Sequence, residues 1–423
     1  MTLPLAGVTV VSCEQAVAAP MATRHLADLG ARVIKIERPG DGDFARDYDE
    51  KVRGMSSHFV WLNRSKESIA LDLKDPSSRE VMTRLLDRAD IFVQNFAPGA
   101  AERLDLGASH IRRGRKRLIT CSISGYGPNG PYSQSKAYDL LIQSETGLLT
   151  LTGTERDPAK CGIPVADISA GMYAFSGILT ALYNRERSGE GAELQVSMFD
   201  CLLEWMGYPL YYTQYGGTPP KRAGTSHASI APYGTFNVGD GGAFVIAVQN
   251  QREWRVFCDV VLLRDDLADD DRFSTMSRRN TNRELLESEI ERIFAALSSA
   301  TVEDRLQSAA LAYARRRDVG EVLQHPQLGA RHRWANVDSP VGPLQALLPP
   351  ITGSDWETRM DPIPQLGEHT ADILAWLGLD AADGSHDALP SSPSVIHERA
   401  LDQRRPAKGV TTTSHRLSKG TLQ

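Results

Sequence analysis

The strongest constraint on how this chain folds is a rhythm in its first third. Short apolar runs, VTVVS (8–12), ARVIKIE (31–37), SIALDL (68–73), IFVQNF (91–96) and RLITCSIS (117–124), alternate with helical stretches such as SREVMTRLLDRA (78–89). Strands alternating with helices form βαβ units, and these close into a parallel sheet with helices on its faces. The expected class is α/β: a Rossmann-like large domain with a parallel sheet over residues 1–215.

A chain of 423 residues is long enough for more than one domain. ISAGMYAFSGILTALYNRER (168–187) carries apolar and small residues on nearly all sides, so a buried helix is expected there. AELQVSMFDCLLEWMGYPLYY (192–212) reads as a strand followed by a helix. The Gly/Pro-rich stretch around 215–225 marks a boundary. A smaller α+β domain is expected over 216–330, opening with a hairpin that turns at Gly239 to Gly242. Residues 331–382 are expected to return to the large domain, and the polar, aperiodic 383–423 to be a disordered tail.

Composition narrows the class. With 41% hydrophobic and 24% charged residues the chain reads as an ordinary globular protein, and no run of uninterrupted apolar residues reaches membrane-span length. The start, MTLPLAGVTVV, reads as a first strand rather than a secretory leader, so a cytoplasmic location without a membrane is expected. Cys13, Cys121, Cys161, Cys201 and Cys258 are scattered and never spaced C-x-x-C, which argues against disulfides and zinc. A net charge of −6 offers no field for nucleic acid, and the basic run RRGRKR (112–117) reads as a solvated turn. No metal site is expected, because no histidine stands at ligand spacing from another His or Cys.

One motif misleads. Gly125 to Gly130, GYGPNG, matches G-x-G-x-x-G after a strand. In a dinucleotide turn a helix follows and its amides hold the pyrophosphate, whereas here Pro128 and Pro131 remove donors and the polar YSQSK comes next. NAD binding is not expected. No P-loop, H-E-x-x-H or G-x-S-x-G sequence occurs.

A set of segments in order carries a resemblance: LADLGARVIKIERPGDGD (26–43), LNRSKESIALDLKDP (62–76), ADIFVQNFAPGAAERLDLG (89–107), SISGYGPNGPY (122–132), KAYDLLIQSETG (136–147), VADISAGMYA (165–174) and LGEHTADIL (366–374). Together they resemble the family III CoA-transferases, among them formyl-CoA and mesaconyl-CoA transferases and those moving CoA from succinyl-CoA to dicarboxylic acids. The related α-methylacyl-CoA racemases share the pattern.

The resemblance implies that Asp167, at the start of the long central helix, attacks the acyl-CoA thioester and becomes a mixed anhydride. Standing alone, an aspartate there reads as a helix cap. A carboxylate is a weak nucleophile, but the CoA thiol it displaces, with a pKa near ~8.5, leaves well once water is excluded. The matched positions also assign CoA contacts to Arg38, Leu71, Lys74, Asn95, Phe96 and Arg103, and place Lys136 and Tyr138 near the reacting thioester. Each basic residue taken alone reads as a solvated surface charge. Acyl-CoA is then a substrate, with no permanently bound cofactor, and an interlocked homodimer is implied.

Departures from the pattern matter. Formyl-CoA transferases carry a glutamine near the place of Val17 and a glycine-rich lid before the hairpin, where this chain has AGTSHASIAPYGTF (223–236). Formate and oxalate are therefore disfavoured as acceptors. Arg222, His227 and Ser229 are candidates for shaping an acid pocket. Racemases place a histidine where Tyr138 stands, and a phenol of pKa about 10 is a poor base near neutrality. DVGEVLQHPQLGARHRWANVDSPVGPLQALLPP (318–350) resembles members acting on itaconate, mesaconate, malate or citramalate with succinyl-CoA as donor. A CoA-transferase acting on a small dicarboxylate is the leading expectation. A racemase or epimerase, and a CoA-binding protein without catalysis, are the alternatives.

Overall fold

A computed structural model describes residues 2–379, and contacts gather residues 1–379 into one compact unit. The tail expected to be disordered, 383–423, lies outside the described residues.

The apolar runs become β1 (Thr9–Cys13), β2 (Arg32–Glu37), β3 (Lys66–Ala70), β4 (Ile91–Gln94) and β5 (Ile119–Ser124), joined by a sixth strand, β6 (Glu193–Ser197). All neighbours pair in parallel, in the order β3-β2-β1-β4-β5-β6. Val10 of β1 lies opposite both Val33 and Ile91. Central parallel strands are covered on both faces, so they read as unbroken apolar runs, and Val10 and Val11 are fully buried.

Helices close both faces. The helices run in chain order as α1 (Ala18–Asp28), α2 (Ser57–Leu62), α3 (Pro76–Arg88), α4 (Ala100–Arg103), α5 (Ala108–Ile111), α6 (Asp139–Glu145) and α7 (Val165–Ser188), and on one face of the sheet α1 is buried along its whole length. α1 and α7 pack through small residues, Ala18, Ala19 and Ala22 against Ala166, Ala170 and Ala174. Gly171 permits that approach, since a Cβ there would lie 2.7 Å from the Ala18 carbonyl oxygen and from Met21 Cβ. On the other face α3 and the helix Thr370–Leu377 bury Val81, Leu85, Ile373 and Leu377. α3 starts cleanly because Asp75 accepts from the Ser77 amide and Pro76 takes the first turn.

The segment LGEHTADIL finishes the sheet at its β3 edge. The Gly367 amide donates to Ser68 Oγ, the Ser68 amide to His369 Nδ1 and the Ala70 amide to Thr370 Oγ1, which covers backbone groups that an edge strand leaves open.

After α7 the chain forms β6, then α8 (Met198–Trp205) and α9 (Gly207–Gly216). A second, antiparallel sheet follows: β7 (Tyr233–Asn237), β8 (Ala243–Ala247) and β9 (Ala312–Arg315), with a separate core around Phe236, Phe244, Trp254, Phe257 and Phe294. β10 (Trp334–Val337) pairs with β11 (Leu344–Leu347), and Val337, Leu344 and Ile363 pack on Phe59.

The expectation that α7 is buried on nearly all sides does not hold. Ala166, Ala170, Ala174 and Ile178 face the core, but Tyr173 and Tyr183 point out, because nothing among the described residues covers that face. At 24 residues α7 is long and apolar enough to cross a membrane, yet half of its most apolar window is buried inside the fold.

Candidate active site

In open α/β sheets ligands bind beyond the carboxyl ends of the strands, where the strand order reverses. Here the reversal lies between β1 and β4. A cleft of about 540 Å³ opens there, walled by Gln15 to Ala18 after β1, Asn95 to Pro98 after β4, the end of β5, and the starts of α6 and α7.

The β1 wall is fixed from beneath. Ala16 adopts a left-handed φ of 61°, and its amide donates to Asp43 Oδ1 at 3.1 Å. The Gln15 amide donates to Asn95 Oδ1, and Asn95 Nδ2 returns a bond to the Gln15 carbonyl. Behind them lies a charged core of side chains with no solvent exposure: Lys35 Nζ donates to Asp43 at 2.6 Å, and Lys66 Nζ to Glu14 at 2.6 Å. Burial alone raises a carboxyl, but Lys66 and Lys35 outweigh it and hold Glu14 below the usual carboxylate range. Burial brings Lys66 down to about 8 against the pull of Glu14.

Asp167, at the start of α7, also lines the cleft. It is the third residue of α7, so the reading of this residue as a cap fails: the cap position is Pro164. Among the described residues no cation pairs with Asp167 and nothing donates to its carboxylate. Burial, and then the negative charge of Asp139, push its pKa up to about 7. A carboxylate that basic, facing open volume, is poised to attack an electrophile or to exchange a proton.

Of the residues singled out in the sequence, Asn95, Phe96, Lys136, Tyr138 and Asp167 line this one cleft. Tyr138 is 65% exposed and stands at its rim. Arg38 follows β2, Leu71 follows β3 and Arg103 ends α4, so they lie with Lys74 along the same carboxyl edge, outside the cleft wall. Arg38, Lys74 and Arg103 are exposed, and Leu71 is buried with its amide on the Glu37 carbonyl.

Arg222, His227 and Ser229 do not line the cleft of their own chain. The Arg222 guanidinium is occupied by the backbone carbonyls of Thr150, Thr154 and Glu155. His227 stacks on Tyr233 and accepts from the Ser229 amide, and the Ser229 carbonyl accepts from Asn280.

Tyr48 and His58 also wall the cleft, and sequence reasoning missed them. They come from 44–58, a stretch without periodicity, so no local rule marks their return to the site. Their rings meet edge-on at 5.3 Å. His58 Nδ1 is buried without a hydrogen bond, 3.7 Å from Asp49 Oδ2. Desolvation, with Asp43 and Asp167 nearby, raises Tyr48 to about 12, so its hydroxyl stays a donor. Among the described residues no group of three or more His, Cys, Asp or Glu side chains is arranged to hold a metal ion.

Residues 5–370 match the model of CoA-transferase family III. The chain is 34% identical over 373 residues to an acetyl-CoA:oxalate CoA-transferase of Acetobacter aceti, an alignment covering 87% of this chain and 94% of that protein. It is 32% identical to a succinyl-CoA:glutarate CoA-transferase of Mus musculus, covering 88% and 86%. A crystal structure of a CAIB/BAIF family protein from Brucella suis superposes with a TM-score of 0.81 at 34% identity, covering 89% of this chain and all of that one.

Proposed function

This chain belongs to CoA-transferase family III, and from that membership we propose that it moves CoA from an acyl-CoA donor, succinyl-CoA by preference, to a small dicarboxylic acid through an anhydride on Asp167. The observation that carries the reading is the Asp167 carboxylate on the wall of a roomy cleft, raised to about 7 and in no ion pair among the described residues.

The chemistry balances without a further reactant. An Asp167 oxygen attacks the thioester carbonyl carbon, the C–S bond breaks and CoA thiolate leaves. The thiolate then attacks the Asp167 carbonyl, which releases the donor acid and leaves CoA on Asp167 as a thioester. The incoming carboxylate repeats both steps in reverse, and Asp167 ends as it began.

The basic edge of Arg38, Lys74 and Arg103 suits the phosphates of CoA, with Leu71, Asn95 and Phe96 along the path of its pantetheine arm. Lys136 and Tyr138 stand where they orient the acyl group. A diacid brings a second carboxylate that needs donors, and the Tyr48 hydroxyl and His58 imidazole on the cleft wall supply them. The acids in the relatives' names, oxalate and glutarate, are both diacids. The working form is a cytoplasmic homodimer, in which Arg222, His227 and Ser229 of one copy reach the cleft of the other.

The test is a panel in D₂O: succinyl-CoA or acetyl-CoA with oxalate, itaconate, mesaconate, malate, citramalate or glutarate, and (2R)-2-methylacyl-CoA separately, read by mass spectrometry of the CoA esters. New acyl-CoA that requires both an acid and Asp167 supports the reading. Deuterium at the α-carbon without an acceptor replaces it with racemisation.

A further inference from the structure

Helix α7 starts without a cap of its own. The first amides of a helix need acceptors, usually the side chain of the cap residue, and Pro164 has none to offer. Asp139, the first residue of α6, serves instead: its Oδ1 accepts from the Ala166 amide at 2.7 Å and from the Asp167 amide at 3.4 Å. Its Oδ2 accepts from Gln143 Nε2 at 2.6 Å, and the fully buried Gln143 accepts the Cys161 amide through Oε1 at 2.9 Å. One carboxylate thus ties α6, the loop before α7 and the first turn that carries Asp167.

We propose that Asp139 is a positioning residue for CoA transfer: it caps α7 from the neighbouring helix and sets both the aim and the basicity of the Asp167 carboxylate. The proposal rests on Asp167 being the nucleophile. A neutral cap would satisfy the same amides, so the negative charge needs a separate account. Two carboxylates this close repel, which favours any state in which Asp167 gives up its charge, and bond formation to a thioester carbon is such a state. The burial of Asp167 acts in the same direction as Asp139. The other titratable or charged groups facing Asp167 across the cleft are Tyr48, His58, Lys136 and Tyr138, while α1 and α8 present only the uncharged Ala18 and Met198.

The test is the pH profile of kcat/KM for CoA transfer by the full chain, for wild type, Asp139→Asn and Asp139→Glu, with Asp167→Ala as control. In Asp139→Asn the acid limb is expected to move down by about one pH unit as a neighbouring charge is lost. The plateau is expected to fall about tenfold through loss of aim, with little change in KM for acyl-CoA. Asp139→Glu returns the limb towards wild type. Carboxyl NMR of ¹³C-aspartate-labelled protein gives a readout without activity: the resonance missing in Asp167→Asn titrates near 7 in wild type and lower in Asp139→Asn. An unmoved limb and resonance in a folded Asp139→Asn protein overturn the proposal. Transfer that survives Asp167→Ala overturns the nucleophile reading instead, whatever Asp139 does.

Discussion

Glu14, buried behind the β1 wall of the cleft, and Asp167, on the cleft wall itself, are carboxylates whose surroundings differ in one respect. Glu14 is closed off with Lys66, Lys35 and Thr23, and two cations hold it ionised. Asp167 has a second carboxylate for a neighbour and, among the described residues, no ion-pair partner, so its charge is costly. Pairing turns a buried carboxylate into scaffold, here the support for the strained Ala16 loop. Leaving one unpaired stores basicity at a site open to a ligand. The two walls therefore have distinct tasks: one is rigid, the other reacts.

The contrast can be broken from either side. The largest effect is expected from Asp167→Ala, which should cut transfer by at least about 1,000-fold while leaving the melting temperature at or above that of wild type. Loss of the fold instead would make Asp167 a structural residue. Lys66→Met should do the opposite, because removing one partner of a buried pair strands the other: about 3–5 kcal/mol of stability is lost in urea unfolding at pH 7. A cost below about 1 kcal/mol would show that the charged core does not hold the β1 wall.

Stability against pH sharpens the comparison. Asp167 has a folded pKa of about 7 against a reference of 3.8, so the fold binds its proton more tightly than the unfolded chain does. Its contribution therefore falls as pH rises from about 4 to about 7 and stays low above that. Asp167→Asn should be more stable than wild type at pH 8, by up to about 4 kcal/mol at roughly 1.4 kcal/mol per unit, with the gain gone at pH 4. An equal gain at both pH values would mean that the charge is not the cause. The smallest effect belongs to the exposed pair Arg264–Asp266: Asp266→Asn should leave the urea midpoint of unfolding where it is in wild type. A lowered midpoint there would undo the distinction between paired charges inside and outside the core.

The parallel sheet was legible because its buried strands are carried by apolar runs such as Ile91 to Val93, and the helices between them keep their own period. The exposed face of α7 was not legible, since apolar and aromatic residues on all sides read as burial whether or not this chain supplies the cover. In the site, Asp167, Lys136 and Tyr138 could be picked out because they sit inside motif segments. Tyr48 and His58 could not, because their meeting with Asp167 depends on the path of an irregular loop over the sheet edge. Nothing local in the sequence marks Asp139 as the cap to α7, a role that required seeing Pro164 at the cap position. The motif LGEHTADIL marked the resemblance, but its place on the β3 edge depends on pairing across nearly 300 residues, which no local pattern encodes.

The most direct test of the central claim follows an oxygen atom. The enzyme turns over with an acyl-CoA donor and the acceptor found in the panel, its carboxylate labelled with ¹⁸O, and the peptides Cys161–Arg185 and Ala137–Arg156 are then weighed. An anhydride on Asp167 leaves labelled oxygen in the first peptide and none in the second, which carries Asp139. Label in the second peptide, or turnover with label in neither, would contradict the assignment of Asp167 as the nucleophile.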